Sequence, residues 1–340
     1  MHRTRMALLG VALLLGATPA VRAASPPNAA SSPDDAPIWT FQVENDAVST
    51  LSGTSDQYYT SGLRLGFTST PAQTPHGLAG LANAISGGPG IDRVAFDIQQ
   101  SLFTPRNTQI TPPDPHDRPY AAYLVGNFSL LHDTDTARTV LTLTLGVLGP
   151  AAQGEETQNG FHSLIGDKSN KGWGFQLRNE PAMGLTAGRI WRVPTGGFGG
   201  VETDVLPSLQ GQAGSIRTDA QAGAILRIGQ GLDSDFGAPR IQPGISGADA
   251  YTATQPLVWY VFGGGDGQAV AHDATLDGGT FNTDQPHVHK KWYVGELEAG
   301  IGIIWHGVRI TYTQTWQTQE FQGQKGGLFN FGSLAVSAKF

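Results

Sequence analysis

The chain contains no cysteine, which excludes a disulfide framework, a thiolate metal site and a cysteine nucleophile. Charge is scarce as well: only 14% of the 340 residues are Asp, Glu, Lys or Arg, and their balance is acidic, at −7. A general nucleic-acid binder carries a basic patch, so that class is excluded. Past the N-terminus no apolar run reaches the ~20 residues that a spanning helix needs. Apolar surface is nonetheless present. With 39% hydrophobic and 9% aromatic residues the chain can bury a core, which excludes intrinsic disorder. Its length accommodates one large domain. So little charge at a mean hydropathy of −0.18 is unusual for a soluble enzyme and natural for a β-barrel whose outer face meets lipid.

The first residues read as an export address. Arg3 and Arg5 precede the apolar run 6–15, and Val21 and Ala23 put small residues at −3 and −1 of a cut after Ala23. Basic region, short apolar region and small-residue site together form a secretory signal, 1–23. Its removal takes away Arg3, Arg5 and Arg22 and deepens the net charge to −10. Residues 24–37, rich in Pro, Ala and Ser, read as a flexible lead-in. If the exported chain sits in a membrane, it crosses with strands, because only helices and closed barrels satisfy their backbone in lipid.

Alternation of period two runs through the rest. Leu334, Val336, Ala338 and Phe340 share one face, opposite Ser333, Ser337 and Lys339; Val308, Ile310, Tyr312 and Trp316 oppose Arg309, Thr311, Thr313, Thr315 and Gln317. Leu141, Leu143, Leu145 and Val147 oppose Thr142, Thr144 and Gly146. Each such segment has one apolar and one polar wall. A soluble β-sandwich also alternates. The segments here run to ~10 residues or more, the length of a tilted crossing, against ~5–6 for ordinary strands. Aromatic residues sit near their ends as interface girdles would, and the chain closes on Phe340, resembling the C-terminal signal of outer-membrane proteins. The expected fold is therefore all-β: an antiparallel transmembrane β-barrel, 38–340, of about twelve strands, with a short helix in a long extracellular loop. The candidate strands are 38–47, 57–68, 92–103, 119–131, 138–148, 182–193, 199–210, 216–229, 257–270, 290–305, 307–318 and 329–340. With both termini periplasmic, the longest outer connection is 149–181. Two short inner turns fall at 194–198 and 306–307, and two longer inner pieces at 69–91 and 230–256, with a short helix possible at 76–85.

Chemistry is sought at the outer rim. Asn45 and Asp46 end the first strand, and Tyr59, Thr60, Ser61 and Gly62 open the second. Alternation places Asp46 and Thr60 on the polar face, toward the barrel interior or its lip. A carboxylate, a hydroxyl and backbone carbonyls are hard oxygen ligands suited to Ca²⁺; an Asp and a Thr that cap turn amides are the commoner arrangement. In the longest loop, Gln158 and His162 recur at helical spacing, and a histidine can deprotonate water, although a loop-packing role is commoner. Ser163 follows His162 but points elsewhere on a helix, and no G-x-S-x-G elbow is present.

Six motifs in order then carry a resemblance: FQVEND (41–46), YTSGL (59–63), DRPY (117–120), LGVLGP (145–150), QNGFHSLIG (158–166) and the segment 172–181. Together they resemble the lipid A 3′-O-deacylase family of Gram-negative outer membranes. The resemblance implies a twelve-stranded barrel that removes ester-linked acyl chains from lipid A with Ca²⁺, with His162 as base and Asn45 and Gln158 beside it. It associates Asp46 and Thr60 with the metal. The implied partners are lipopolysaccharide and the outer membrane, with no nucleic acid, and a monomer is expected. Two departures stand out. Where the family places an acid six positions after the histidine this chain has Lys168, with Asp167 adjacent; and the second outer loop, 104–118, lacks the family's lysine. Arg106, Arg118 and Lys168 are left as contacts for lipid A phosphates. The rival readings are an outer-membrane phospholipase with a serine nucleophile and a non-catalytic channel or adhesin. The exported protein is expected to begin at Ala24, which an intact-mass measurement checks.

Overall fold

The computed structural model describes residues 36–46, 56–86, 88–241, 249–282 and 284–340. The expected leader 1–23, all but the end of the expected lead-in 24–37, and the first outer connection as far as residue 55 lie outside the described residues. Within them the chain forms one antiparallel sheet. Its strands are β1 (Ile38–Asn45), β2 (Tyr58–Thr68), β3 (Ile91–Thr104), β4 (Ala121–Asp133), β5 (Ala137–Leu148), β6 (Glu180–Trp191), β7 (Val193–Phe198), β8 (Val201–Gly214), β9 (Arg217–Gln230), β10 (Leu257–Asp273), β11 (Tyr293–Trp305), β12 (Val308–Gln317) and β13 (Phe329–Lys339). Apart from β7, each strand pairs with the next. The ring closes twice over, by β1 against β13 from Ile38–Lys339 to Asn45–Gly332 and by β6 against β8 from Gly184–Gly214 to Ile190–Ser208. Closure leaves the twelve-strand ring itself without an edge, the condition for crossing lipid.

The ring has twelve strands, as the alternation predicts, and β7 is an addition. The expected inner turn at 194–198 is instead this strand, fully exposed and paired only with the first half of β8. The true turn is Gly199-Gly200, both at positive φ, a two-residue hairpin that only glycine enters freely. The turn at His306-Gly307 stands as expected, with φ of 48° and 78°. Other boundaries move by a few residues; β8 and β10 run further than read, to Gly214 and Asp273.

The two walls follow the alternation. Trp39, Phe41, Leu65, Ile98, Phe128, Leu145, Leu185, Ile303 and Ile310 are exposed on the outside. Thr40, Gln42, Glu44, Arg64, Asp97, Asn127, Arg227, Glu296, Glu298 and Arg309 are buried inside. An interior so charged needs partners, because an unpaired buried ion costs several kcal/mol. The long connection between β9 and β10 supplies them by turning inward from the end that carries Ile38 and Lys339. The Arg240 guanidinium meets Glu296 at 2.5 Å and Glu298 at 3.2 Å. Asp235 takes Arg227 at 2.6 Å and Arg309 at 3.4 Å. The Ile241 amide donates to Glu44 Oε1 at 2.7 Å, and Gln42 Nε2 donates to the Pro239 carbonyl at 2.9 Å. This explains why that inner piece is long: it is a plug. The piece between β2 and β3 carries α1 (His76–Ser86), the helix read at 76–85. Between β3–β6 and β8–β9 the lumen stays open as a polar cavity lined by Gln99, Asn127, Thr144, Gln210 and Arg217.

Replacing Arg240 by Ala leaves Glu296, Glu298 and Asp266 without their shared cation. A loss of about 3–5 kcal/mol is expected, read as a lower temperature for the loss of heat-modifiable gel migration.

Candidate functional site on the outer wall

The end opposite the barrel's termini carries the longest connection, which marks it as the extracellular end. The longest, between β5 and β6, holds a 3₁₀ turn Pro150–Ala152, the helix α2 (Gly154–Ile165) and a second turn Trp173–Phe175. The helix expected in this loop is therefore present. It ends on Gly166, at φ 75°, whose amide donates to the His162 carbonyl, the usual glycine stop.

α2 packs against the outside of the wall. Gln100 shares the outward face of β3 with Ile98 and Leu102, and its Nε2 donates to the Ala152 carbonyl at 2.6 Å and to Thr157 Oγ1 at 3.1 Å. Leu102, Tyr120, Ala122, Ala152 and Trp173 form one apolar cluster beneath the helix. Small residues permit this approach: a Cβ on Gly154 would lie 2.5 Å from Ala122 Cβ and 2.8 Å from the Trp173 ring. Trp173 Nε1 donates to Gln158 Oε1 at 2.8 Å, so the amide is held with Nε2 buried and unpartnered.

His162 lies one turn on, also buried. Its Nδ1 donates to the Lys168 carbonyl at 2.7 Å, and its Nε2 stands 2.9 Å from Asp56 Oδ2. Asn170 Nδ2 donates to the same Asp56 oxygen at 3.0 Å, and Asn170 is itself held by Asn159. The next amide along the chain, that of Gln57, donates to Asp46 Oδ2 at 3.3 Å. The start of the returning arm of the first hairpin therefore ties the imidazole of α2 to the carboxylate at the end of β1. Asp167 takes no part in orienting the ring; its Oδ1 accepts from the Lys168 amide at 2.7 Å.

The first hairpin is irregular where this happens. Tyr58 has φ 61°, a costly conformation for a bulky residue. It is anchored by its hydroxyl, which donates to the Lys325 carbonyl at 2.9 Å, and by Phe321 and Phe329 edge-on. The register between β2 and β3 slips between Tyr59 and Ser61, so Thr60 is the extra residue of a bulge. Tyr59 stays inside, donating to Glu44 Oε2 at 2.9 Å over Gly62. Thr60 Oγ1 meets Thr104 Oγ1 at 2.8 Å, and Thr104 shares its face of β3 with Gln100 and Leu102. Strict alternation puts Thr60 inside; the bulge corrects this and brings its hydroxyl to the wall that α2 covers. Asn45, paired with Ser61 and Gly332, closes β1 beside it.

The expected phosphate contacts separate. Arg106 and Lys168 are exposed. Arg118 is not available: it is 1% exposed, its guanidinium bound to Glu320 and to Thr275 Oγ1 and stacked 4.4 Å over Phe103. It fastens three outer connections together, because a buried guanidinium needs a carboxylate. Asp56 is the site residue that reading along the chain missed; nothing local distinguishes it from a loop aspartate. For a cation, the donors at the rim are the Asp46 carboxylate and the Thr60 and Thr104 hydroxyls, all hard oxygens of the kind Ca²⁺ takes. Among the described residues no three His, Asp or Glu side chains cluster as a metal site, so most donors would be neutral oxygens.

Fold and site together define an outer-membrane β-barrel with a polar site on its lipid-facing rim. The family model of the outer membrane protein LpxR matches residues 9–340, and the chain belongs to that family, in the outer membrane of a Gram-negative bacterium. Among solved structures, LpxR from Salmonella typhimurium is similar at a TM-score of 0.73 and 21% identity, covering 89% of this chain and 100% of that one. The β domain of the Bordetella autotransporter BrkA aligns at a TM-score of 0.45 and 10% identity, over 90% of this chain and 99% of that one. No curated protein sequence matches.

Gly154→Val is expected to push α2 off the wall and wet Trp173. The checks are a red shift of tryptophan emission and faster proteolysis within 149–179, with heat-modifiable migration unchanged.

Proposed function

We propose that this protein is an esterase of the outer leaflet that removes 3′-O-linked acyl chains from lipid A, with His162 as the base and Ca²⁺ as cofactor. The observation that carries the reading is the link His162–Asp56–Gln57–Asp46, which joins α2 to the β1–β2 hairpin on the outer wall. A multiply acylated lipid would reach that wall sideways, with its chains still in the bilayer. Family membership supports the same substrate class.

The Nδ1–H bond to the Lys168 carbonyl fixes the tautomer, so Nε2 is the nitrogen that exchanges protons. Asp56 faces it as the acceptor of its proton, and rotation of that carboxyl group, carrying the proton with it, leaves the Nε2 lone pair facing a water in its place. Nε2 takes a proton from this water as the oxygen adds to the ester carbonyl carbon. When the bond between the acyl carbon and the sugar oxygen breaks, the imidazolium returns the proton to the departing oxygen. The products are a free fatty acid and a restored hydroxyl. Gln158 Nε2, buried without a partner, donates toward the developing oxyanion, and Asn45 orients the ester at the end of β1. Ca²⁺ held by Asp46 and Thr60 would polarise the same carbonyl. Arg106 and Lys168, both exposed, would meet lipid A phosphates.

A serine hydrolase is not favoured, because both ring nitrogens of His162 are engaged by Lys168 and Asp56 and neither by a serine hydroxyl. Mass spectrometry of lipid A from expressing cells tests the proposal. Wild type is expected to remove the 3′-linked acyl mass, EDTA to stop it, and His162→Ala to slow it by at least ~100-fold with the barrel intact. Undiminished activity of that variant would remove the base.

A further inference from the structure

α2 carries more apolar surface than its packing uses. Gly154, Gln158 and His162 form the seam buried against the wall. Beside that seam, Phe161 is 53% exposed, Leu164 76% and Ile165 37%. Glu155, Glu156, Asn159 and Ser163 occupy the opposite flank. At about 100° per residue this gives a helix with a buried stripe, an apolar flank and a polar flank.

The hydrogen bonds fix which way each flank looks. Thr157 lies on the apolar side, one turn before Phe161, and it is bonded to Gln100. Gln100 lies further from the rim along β3 than Leu102 and Thr104, toward mid-membrane. On the other flank Asn159 is bonded to Asn170 of the overlying loop. The apolar flank therefore faces down the barrel wall and the polar flank faces out toward water. Below it the wall continues the same surface, with Ile98, Phe96 and Phe128 exposed on the outward faces of β3 and β4. Phe175, in the turn that follows, is also exposed.

We propose that α2 lies in the plane of the outer leaflet as an interfacial helix, with Phe161, Leu164 and Ile165 embedded at the boundary of acyl chains and headgroups. The occupant of this face is lipid, because the flank is continuous with the apolar belt that already meets lipid and points the same way. A helix of this kind binds by the apolar area it submerges. Here submersion also sets the depth of His162, which sits on the adjoining face of the same turn. The lipid contact rests on the outer-membrane placement alone; only its effect on catalysis rests on the deacylase reading.

The absence of native cysteine makes site-directed labelling clean. Leu164→Cys and Ser163→Cys, each carrying a nitroxide, are compared by power saturation in the full-length protein in phosphatidylethanolamine–phosphatidylglycerol vesicles. Position 164 is expected to be accessible to oxygen and shielded from a water-soluble nickel chelate, and position 163 the reverse. Equal nickel accessibility at both positions overturns the proposal. Shielding of 164 from both probes overturns it too, in favour of a second copy seated on the face. A second arm reads the consequence: Phe161→Glu/Leu164→Glu is expected to slow deacylation of bilayer-embedded lipid A about tenfold while leaving detergent-dispersed lipid A unaffected. Equal loss in both would show that the flank stabilises the helix and does not dock it. Absence of activity in wild type would sink the deacylase reading and leave the labelling result standing.

Discussion

Closure of the hydrogen-bond ring is the constraint on which the rest depends. In lipid an unpaired amide or carbonyl has no water to turn to, so β1 must find β13 and β6 must find β8. Once the ring is closed, alternation can deliver only two walls, one apolar and one polar. The polar wall of this chain is rich in Arg, Asp and Glu, and so closure creates a second demand, neutralisation of charge without water. The segment from Leu232 to Ile241 meets it by entering the lumen with Asp235 and Arg240. An inner connection of that length is uneconomical as a turn and sensible as a counter-charge.

Closure also decides where chemistry can occur. The lumen is filled near β1 and β2, whereas the outer wall near β3 and β4 carries small residues, Ala122 among them, against which Gly154 fits. The bulge at Thr60 turns a hydroxyl toward that wall, and the strained Tyr58 is held by aromatic contacts from the last outer loop. A polar site is thus built on the side of a barrel that is otherwise apolar, where, on the proposed function, a lipid ester approaches without leaving its leaflet. Under the proposed mechanism that placement matters as much as the identity of the base.

Much of this was legible along the chain. The strands followed from alternation, because side-chain direction in a strand depends on parity alone. The helix in the long outer loop followed from the spacing of Gln158 and His162, and α1 was anticipated at 76–85. Where reading failed, the cause was non-local or a break in parity. β7 reads as a turn because Pro194 and Gly196–Gly197 resemble turn residues, while the Gly199-Gly200 hairpin that defines it comes just after. Parity puts Thr60 toward the interior or its lip, because it does not count the one extra residue in β2 that reverses the alternation beyond it. Arg118 reads as a surface cation because its partners Thr275 and Glu320 lie more than 150 residues away. Asp56 resembles any loop aspartate until α2 is folded over it.

Local chemistry therefore determined the barrel, its two walls, its approximate strand number and the residue types able to hold a cation or move a proton. These depend on near neighbours, whose geometry the backbone repeats every two or four residues. Tertiary structure alone decided that the helix lies outside the wall, that Asp56 stands between His162 and the first hairpin, that Arg118 is consumed internally, and that one long connection is a plug. Each of these is set by which distant segments closure makes adjacent, and no periodicity in the chain encodes that.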